Sequence, residues 1–250
     1  MTRVRVIPCL LLRGHGLVKT RKFKDPVYLG DPVNAVRIFN EKEVDELVLL
    51  DIDASKDGRE PDYEYVAEIA GECFMPIAYG GGIRTLDQVR RLIRCGVEKV
   101  VINTAATESF SVIREAADVF GSQAVVGAID VRKSLLGGYR VVAKSATVEA
   151  KAGLHAHVQG LVEAGVGEIF LNSVDRDGMM GGYDLALIRS VSEKVNVPVI
   201  ACGGAGAVEH LSEAVHDGGA SAVAAGSMFV FHGRLRAVLI NYPQGLNLTR

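Results

Sequence analysis

Hydrophobic residues along this chain fall into short aliphatic and β-branched runs, separated by stretches in which they recur every three or four positions. The runs are Arg5–Leu11, Glu46–Ile52, Pro76–Tyr79, Lys99–Asn103, Ala124–Asp130, Glu168–Ser173, Pro198–Cys202 and Ser221–Ala225. Their length and β-branched content predict strands. Between them, spacings such as Leu86-Val89-Leu92-Ile93 and Val208-Leu211-Ala214-Val215 predict helices with one apolar face. Strands that alternate with helices pair in parallel. Eight such units in 250 residues predict an α/β fold, a (β/α)8 or TIM barrel, whose usual length is about 250 residues.

An internal repeat strengthens this. Pro76 recurs as Pro198 and Glu46 as Glu168, an offset of 122 residues in both cases. At that offset Glu46–Asp53 lies over Glu168–Asp175, Pro76–Gly82 over Pro198–Gly204, and Asn103-Thr104-Ala105 over Ala225-Gly226-Ser227. The first and fifth strands align at 119, Arg5–Leu11 over Ala124–Asp130. The expectation is two similar half-barrels closed into a single domain spanning 1–250. No linker or low-complexity segment interrupts it.

Two long connections break the rhythm, Leu12–Asp31 and Val131–Lys151. Both follow strands, so both are expected at the C-terminal face, where active sites of such barrels lie. The first carries Arg13, Lys19, Arg21, Lys22 and Lys24, which reads either as a basic lid over an anion or as a solvated loop. The second holds Gly137-Gly138, a hairpin-turn signal.

The duplicated glycine set points to chemistry. Gly80-Gly81-Gly82 and Gly203-Gly204-Ala205-Gly206 each follow a strand and precede a helix. Glycine lets backbone approach a ligand, and a helix start offers free N–H groups and a positive dipole end. With Asn103, Thr104, Gly226 and Ser227 after the next strands, the expectation is two phosphate sites on opposite sides of one mouth. The implied ligand is elongated, with a phosphate at each end. The plainer alternative is that barrel corners need glycine.

Acidic residues close several strands: Asp51, Asp53, Asp130, Asp175 and Asp177. Each is either an acid or base at the mouth or a cap for the next helix. Asp130 ends an apolar strand, which suits a perturbed carboxyl. Its counterpart in the other half is Leu11, which cannot move a proton. At the opposite strand ends, Arg5, Glu46, Lys99 and Glu168 read either as solvated charges or as a ring across the floor.

Composition then narrows the class. The 28 Lys+Arg against 30 Asp+Glu give a net charge of −2, without the basic excess of a nucleic-acid binder. No apolar stretch is long enough for a membrane span, and no signal peptide is read at the N-terminus. Cys9, Cys73, Cys95 and Cys202 are widely spaced, which argues against a disulfide framework or zinc site and fits a reducing cytoplasm. The six histidines do not cluster; His155 and His157 lack helical-face spacing. No metal or other cofactor is expected.

These residues resemble the cyclase subunit family of imidazole glycerol phosphate synthase. The segments that carry the resemblance include Arg5–Leu10, Gly30–Pro32, Asp45–Ile52, Gly80–Ile83, Lys99–Ala106, Phe120–Val126, Ala128–Asp130, Asp175–Gly178, Gly182–Asp184 and Gly203–Gly206. They run in order through nearly the whole chain. The resemblance implies a barrel that docks a glutaminase subunit at its floor. Ammonia would pass a gate of Arg5, Glu46, Lys99 and Glu168 and react with a bisphosphate at the mouth, giving imidazole glycerol phosphate. It implies ligand contacts at Lys19, Asp51, Gly82, Asn103, Thr104, Asp177, Gly178, Gly204, Gly226 and Ser227, and catalysis at Asp130.

The family's second catalytic aspartate falls at Leu11 here, and Ala78 and Asn172 stand where threonine is expected. That pattern resembles the paralogous branch found with surface-polysaccharide genes. There, a cyclase-like barrel and a glutaminase feed ammonia to an N-acetyl-sugar amidotransferase that makes an acetamidino sugar of the O-antigen type. The alternative is a working cyclase-lyase of histidine biosynthesis.

Overall fold

The computed structural model describes residues 3–134, 137–233, 235–243 and 248–250. Eight strands form the barrel: β1 (Arg5–Arg13), β2 (Leu47–Asp51), β3 (Ile77–Gly80), β4 (Lys99–Ile102), β5 (Val125–Lys133), β6 (Glu168–Ser173), β7 (Val199–Cys202) and β8 (Ala222–Ala225). Each pairs in parallel with the next, and β8 returns to β1 through Arg5↔Ala222 to Pro8↔Ala225. The sheet therefore has no open edge within the ring.

The strand period of two sorts side chains between an inner and an outer core. In β1, Val6, Leu10 and Leu12 face the helices, whereas Ile7, Cys9 and Leu11 fill the barrel. Val48, Ala78, Val101, Val126, Phe170, Ile200, Ala222 and Ala224 complete the inner layers. The same alternation carries two residues further along several strands. Toward the floor it aims Arg5, Glu46, Lys99 and Glu168 inward; toward the mouth it aims Leu11, Leu50, Asn103, Asp130 and Asn172 inward.

Helices such as Leu86–Arg94 and Val208–His216 cover the outside. Thr85 and Gln88 form a reciprocal capping box, and Asp31, Asp62 and Asp184 cap three other helices. In the helix Val208–His216, Leu211, Ala214 and Val215 are buried, but Val208 at its start is exposed. No described helix is long and apolar enough to cross a membrane.

The segments expected to be loops are largely strand. β1 runs on to Arg13 and pairs antiparallel with Gly16–Arg21, which pairs in turn with Lys24–Gly30. β5 runs on to Lys133 and pairs with Tyr139–Ala143, then Val148–Glu149. Gly137 and Gly138 take positive φ angles of 86° and 79° in the second hairpin; Leu135 and Leu136 lie outside the described residues. Polarity hid these strands: Lys19, Thr20 and Arg21 follow Leu17 and Val18 without a period of two, and Lys24–Gly30 is exposed along most of its length. The half-barrel symmetry thus extends to a hairpin on each half.

Candidate active site

At the floor the four charges close into a ring. The Arg5 guanidinium donates to both Glu46 and Glu168. Lys99 Nζ donates to Glu46 at 2.9 Å and to Glu168 at 2.8 Å. Each carboxylate thereby meets two cations, and the ring is neutral. Burial works against charge on Glu168, but Lys99 and Arg5 outweigh it and hold its carboxyl below the ordinary range.

Above the ring lies the apolar inner core, and above that a cavity enclosing about 1190 Å³, part of it open solvent. Its wall brings together both glycine turns, Asn103 and Thr104, Gly226 and Ser227, Lys19, Asp51, Asp177 and Gly178, and both Leu11 and Asp130. Residues scattered over the sequence thus share one concave surface at the strands' C-terminal ends.

Asp130 sits at the centre. Its carboxylate accepts from Asn103 Nδ2 at 2.9 Å and from Asn172 Nδ2 at 3.1 Å. Burial pushes its carboxyl up to about 7; both amides oppose that rise, while the charge of Asp177 adds to it. A carboxyl near neutrality is suited to exchange a proton. Register makes the contrast with the other half sharp. Asp130 pairs with Asn172 across β5–β6, and Leu11 pairs with Leu50 across β1–β2. At the repeat offsets these are equivalent pairs. One half of the mouth presents an acid and an amide, the other two leucines.

Lys19 is buried rather than waving on a loop. Its Nζ donates to Cys9 O at 2.8 Å and lies so close to Gly226 that a Cβ there would sit 1.8 Å from it. A cation therefore stands at the Gly226-Ser227 turn. The other hairpin supplies Lys144 and Ser145 to the cavity, and Thr104 Oγ1 accepts from Lys144 N at 3.3 Å. Lys144 was not singled out from the sequence; only its place in the second long connection pointed toward it.

The remaining acids have mixed positions. Asp51 Oδ1 accepts from Asp53 N at 3.1 Å and Ala54 N at 2.9 Å, so Asp51 does the capping expected of Asp53. Asp53 makes no side-chain cap bond because its carboxylate is taken by Arg13 at 3.0 Å. Asp175 Oδ2 accepts from Lys133 N at 2.6 Å. Asp177 Oδ2 accepts from Thr20 Oγ1 at 2.7 Å and Phe23 N at 3.2 Å, clasping the first hairpin to the mouth.

The glycines have a steric reason as well. A Cβ at Gly204, with φ of 118°, would lie 2.2 Å from Gly182 O; one at Gly81, φ 125°, would lie 2.5 Å from Asp51 O. Gly82 N donates to Ser55 Oγ at 3.2 Å, so this amide already has a partner. The four cysteines are unpaired by disulfides. Among the described residues no group of three His, Cys, Asp or Glu is placed to hold a metal ion.

Fold and cavity together define a (β/α)8 barrel with a polar-lined cavity at the mouth and a charged ring at its floor. Comparison with known proteins agrees with that class. Residues 5–236 match the family model described as "Histidine biosynthesis protein". A Pseudomonas aeruginosa protein named "Putative imidazole glycerol phosphate synthase subunit hisF2" is 60% identical over 243 residues, 97% of each chain. Relatives named in the same terms are a subunit HisF of Leptospira borgpetersenii, 48% identical over 98% of this chain and 97% of its own length, and a subunit hisF3 of Vibrio vulnificus, 47% identical over 97% and 94%. The chain belongs to the histidine biosynthesis protein family, in its HisF-like imidazole glycerol phosphate synthase group.

Proposed function

We propose that this chain is an ammonia-receiving HisF-type subunit whose own cyclase chemistry is lost or much reduced. A glutaminase partner docks at the floor, ammonia passes the Arg5–Glu46–Lys99–Glu168 gate and the barrel core, and the mouth delivers it to an N-acetyl-sugar amidotransferase. The product is an acetamidino sugar of the O-antigen type, made in the cytoplasm. The observation that carries this reading is Leu11 beside Leu50 where the other half has Asp130 beside Asn172. Acid–base catalysis across the mouth needs two groups, and only Asp130 remains. Removing one positioned proton-transfer group typically costs about 10²–10⁴-fold.

The inner layers support the conduit role. Ile7, Val48, Val101, Val126, Phe170 and Ile200 offer no partner to a charged ammonium, whose burial costs far more than that of neutral ammonia.

A second reading, a cyclase-lyase of histidine biosynthesis, is favoured by a different observation. Both glycine turns, Lys19 and Asp130 line one cavity, as a bisphosphate ligand with one proton-transfer group would require.

Amide-labelled glutamine tests the first reading. The chain is mixed with a glutaminase-type subunit and a sugar amidotransferase, and label in the sugar is followed. Label transfer that needs this chain, and falls in Lys99→Met, is the expected result. A glutaminase that does not bind, or transfer indifferent to this chain, overturns it.

A further inference from the structure

We propose that Asn172 is a positioning residue that sets the charge state of Asp130 by turning its side-chain amide between two orientations. In the observed orientation Asn172 Nδ2 donates to Asp130 Oδ1 at 3.1 Å. Asn172 Oδ1 is then buried with no hydrogen-bond partner. It lies against the flank of Gly203, where an ideal Cβ would come within 2.9 Å of it. A buried carbonyl oxygen without a partner is costly, so one that persists calls for an explanation.

The amide supplies one. An amide group turned by half a revolution exchanges an acceptor for two donors at almost the same volume. With Asp130 ionised, the NH2 end must face it, because an amide oxygen would meet a carboxylate oxygen. The cost is the unpaired Oδ1. With Asp130 protonated, the turned amide offers its oxygen to the Asp130 O–H, and its NH2 end takes the carbonyl's place at the flank of Gly203, which Ser173 O also lines. Asn103 Nδ2 holds the other carboxylate oxygen at 2.9 Å in both arrangements. Proton uptake at Asp130 and the turn of Asn172 are one event.

The surroundings leave this pair to act without a direct ionic partner. Asp177 faces Asp130 from the loop after β6 and raises its proton affinity. Cys9 of β1 senses the Asp130 charge, and Leu11 presents only methyl groups from the same strand. Lys19 and Lys144 from the two hairpins, Asp51 at the end of β2 and Cys202 of β7 line the same cavity; none makes a hydrogen bond or ion pair to Asp130 among the described residues. The equivalent strand position in the other half, Leu50, has neither donor nor acceptor. The inference concerns only how the mouth handles a proton and stands whether the acceptor of ammonia is a sugar or a bisphosphate.

Carbon-detected titration of Asp130 Cγ in the full chain tests it, with Asp130→Asn to assign the signal. In the unaltered chain the Asn172 side-chain NH2 resonances are expected to shift with the same midpoint as Asp130. Asn172→Leu should raise that midpoint by about half a pH unit or more, because the charge-assisted bond lost from the ionised form is stronger than the neutral bond lost from the protonated form. Asn172→Thr, which keeps a hydroxyl able to donate or accept, should return it most of the way. Asn172 resonances that stay flat through the Asp130 titration overturn the proposal, and so does a midpoint unmoved in Asn172→Leu. The first readout needs no substitution at Asn172, so a misfolded variant leaves it decisive.

Discussion

Asp130 accepts a hydrogen bond from Asn172 at 3.1 Å across neighbouring strands, at the place where the other half-barrel sets two leucines side by side. Both halves carry a hairpin and glycine corners, but the polar pair stands in one. The mouth is therefore symmetric in shape and asymmetric in chemistry, and the experiments below follow from that division.

The raised proton affinity of Asp130 gives stability a definite pH slope. Its carboxyl rises from 3.8 to about 7 in the folded chain. Between those values the folded state binds more protons than the unfolded one, so stability falls as pH rises. Asp130→Asn should lose that part of the slope and gain on the unaltered chain from about pH 4 to pH 7. Urea unfolding of both chains at a series of pH values measures it; parallel curves would contradict the burial argument.

The floor ring predicts an asymmetric response to mutation. Lys99→Met leaves Glu46, with a side chain only 3% exposed, and Glu168, 11% exposed, sharing Arg5 alone. Uncompensated buried charge is costly, so about 2–4 kcal/mol of stability should be lost at neutral pH. Much of that loss should disappear in acid, where the carboxylates take up protons. The double variant Lys99→Met with Glu168→Gln should recover stability at pH 7. Chemical denaturation of the three variants tests this, and equal stability of single and double variants would rule the coupling out.

Asp177 holds the first hairpin to the mouth through Thr20 Oγ1 and Phe23 N. Asp177→Ala should free the turn that contains Lys22 and Lys24 and speed trypsin cleavage there by about tenfold, since an opening worth about 1.4 kcal/mol changes its population tenfold. The barrel's far-ultraviolet circular dichroism should stay unchanged. Cleavage at the original rate would show that the clasp lies elsewhere.

A glycine and a serine separate corner geometry from ligand binding. Gly204→Ala would place a Cβ 2.2 Å from Gly182 O and should destabilise by about 2 kcal/mol or more, with or without phosphate. Ser227→Ala, by contrast, removes only a hydroxyl in the cavity wall. It should leave stability within about 1 kcal/mol and weaken the thermal stabilisation given by inorganic phosphate. Phosphate stabilisation that is absent from the unaltered chain would reduce the glycine turns to corners.

Much of this was legible in the chain. The β-branched runs named the strands, and the charges at their beginnings, Arg5, Glu46, Lys99 and Glu168, read as a candidate ring; each stands two residues before an inward residue, Ile7, Val48, Val101 and Phe170. The repeat exposed Leu11 as the odd partner of Asp130. What stayed hidden has a common cause. The strand Gly16–Arg21 has a polar second half with no period of two, so Lys19 read as a mobile loop residue although the strand buries it against Gly226. The capping exchange between Asp51 and Asp53 turns on which carboxylate Arg13 reaches, a long-range contact that local sequence does not encode. The Leu11–Leu50 match to Asp130–Asn172 depends on register between strands, which spacing alone leaves open.

The central claim is that Leu11 has removed cyclase chemistry from an otherwise complete barrel. Ammonium-dependent turnover of the histidine-pathway bisphosphate should be measured on the unaltered chain, on Leu11→Asp, and on Leu11→Asp with Leu50→Asn, which copies the polar pair into the other half. The account predicts little or no turnover by the unaltered chain and a gain of about 10²-fold or more in at least one variant. Robust turnover by the unaltered chain that Leu11→Asp does not raise would contradict it, and would make Asp130 a sufficient catalyst by itself.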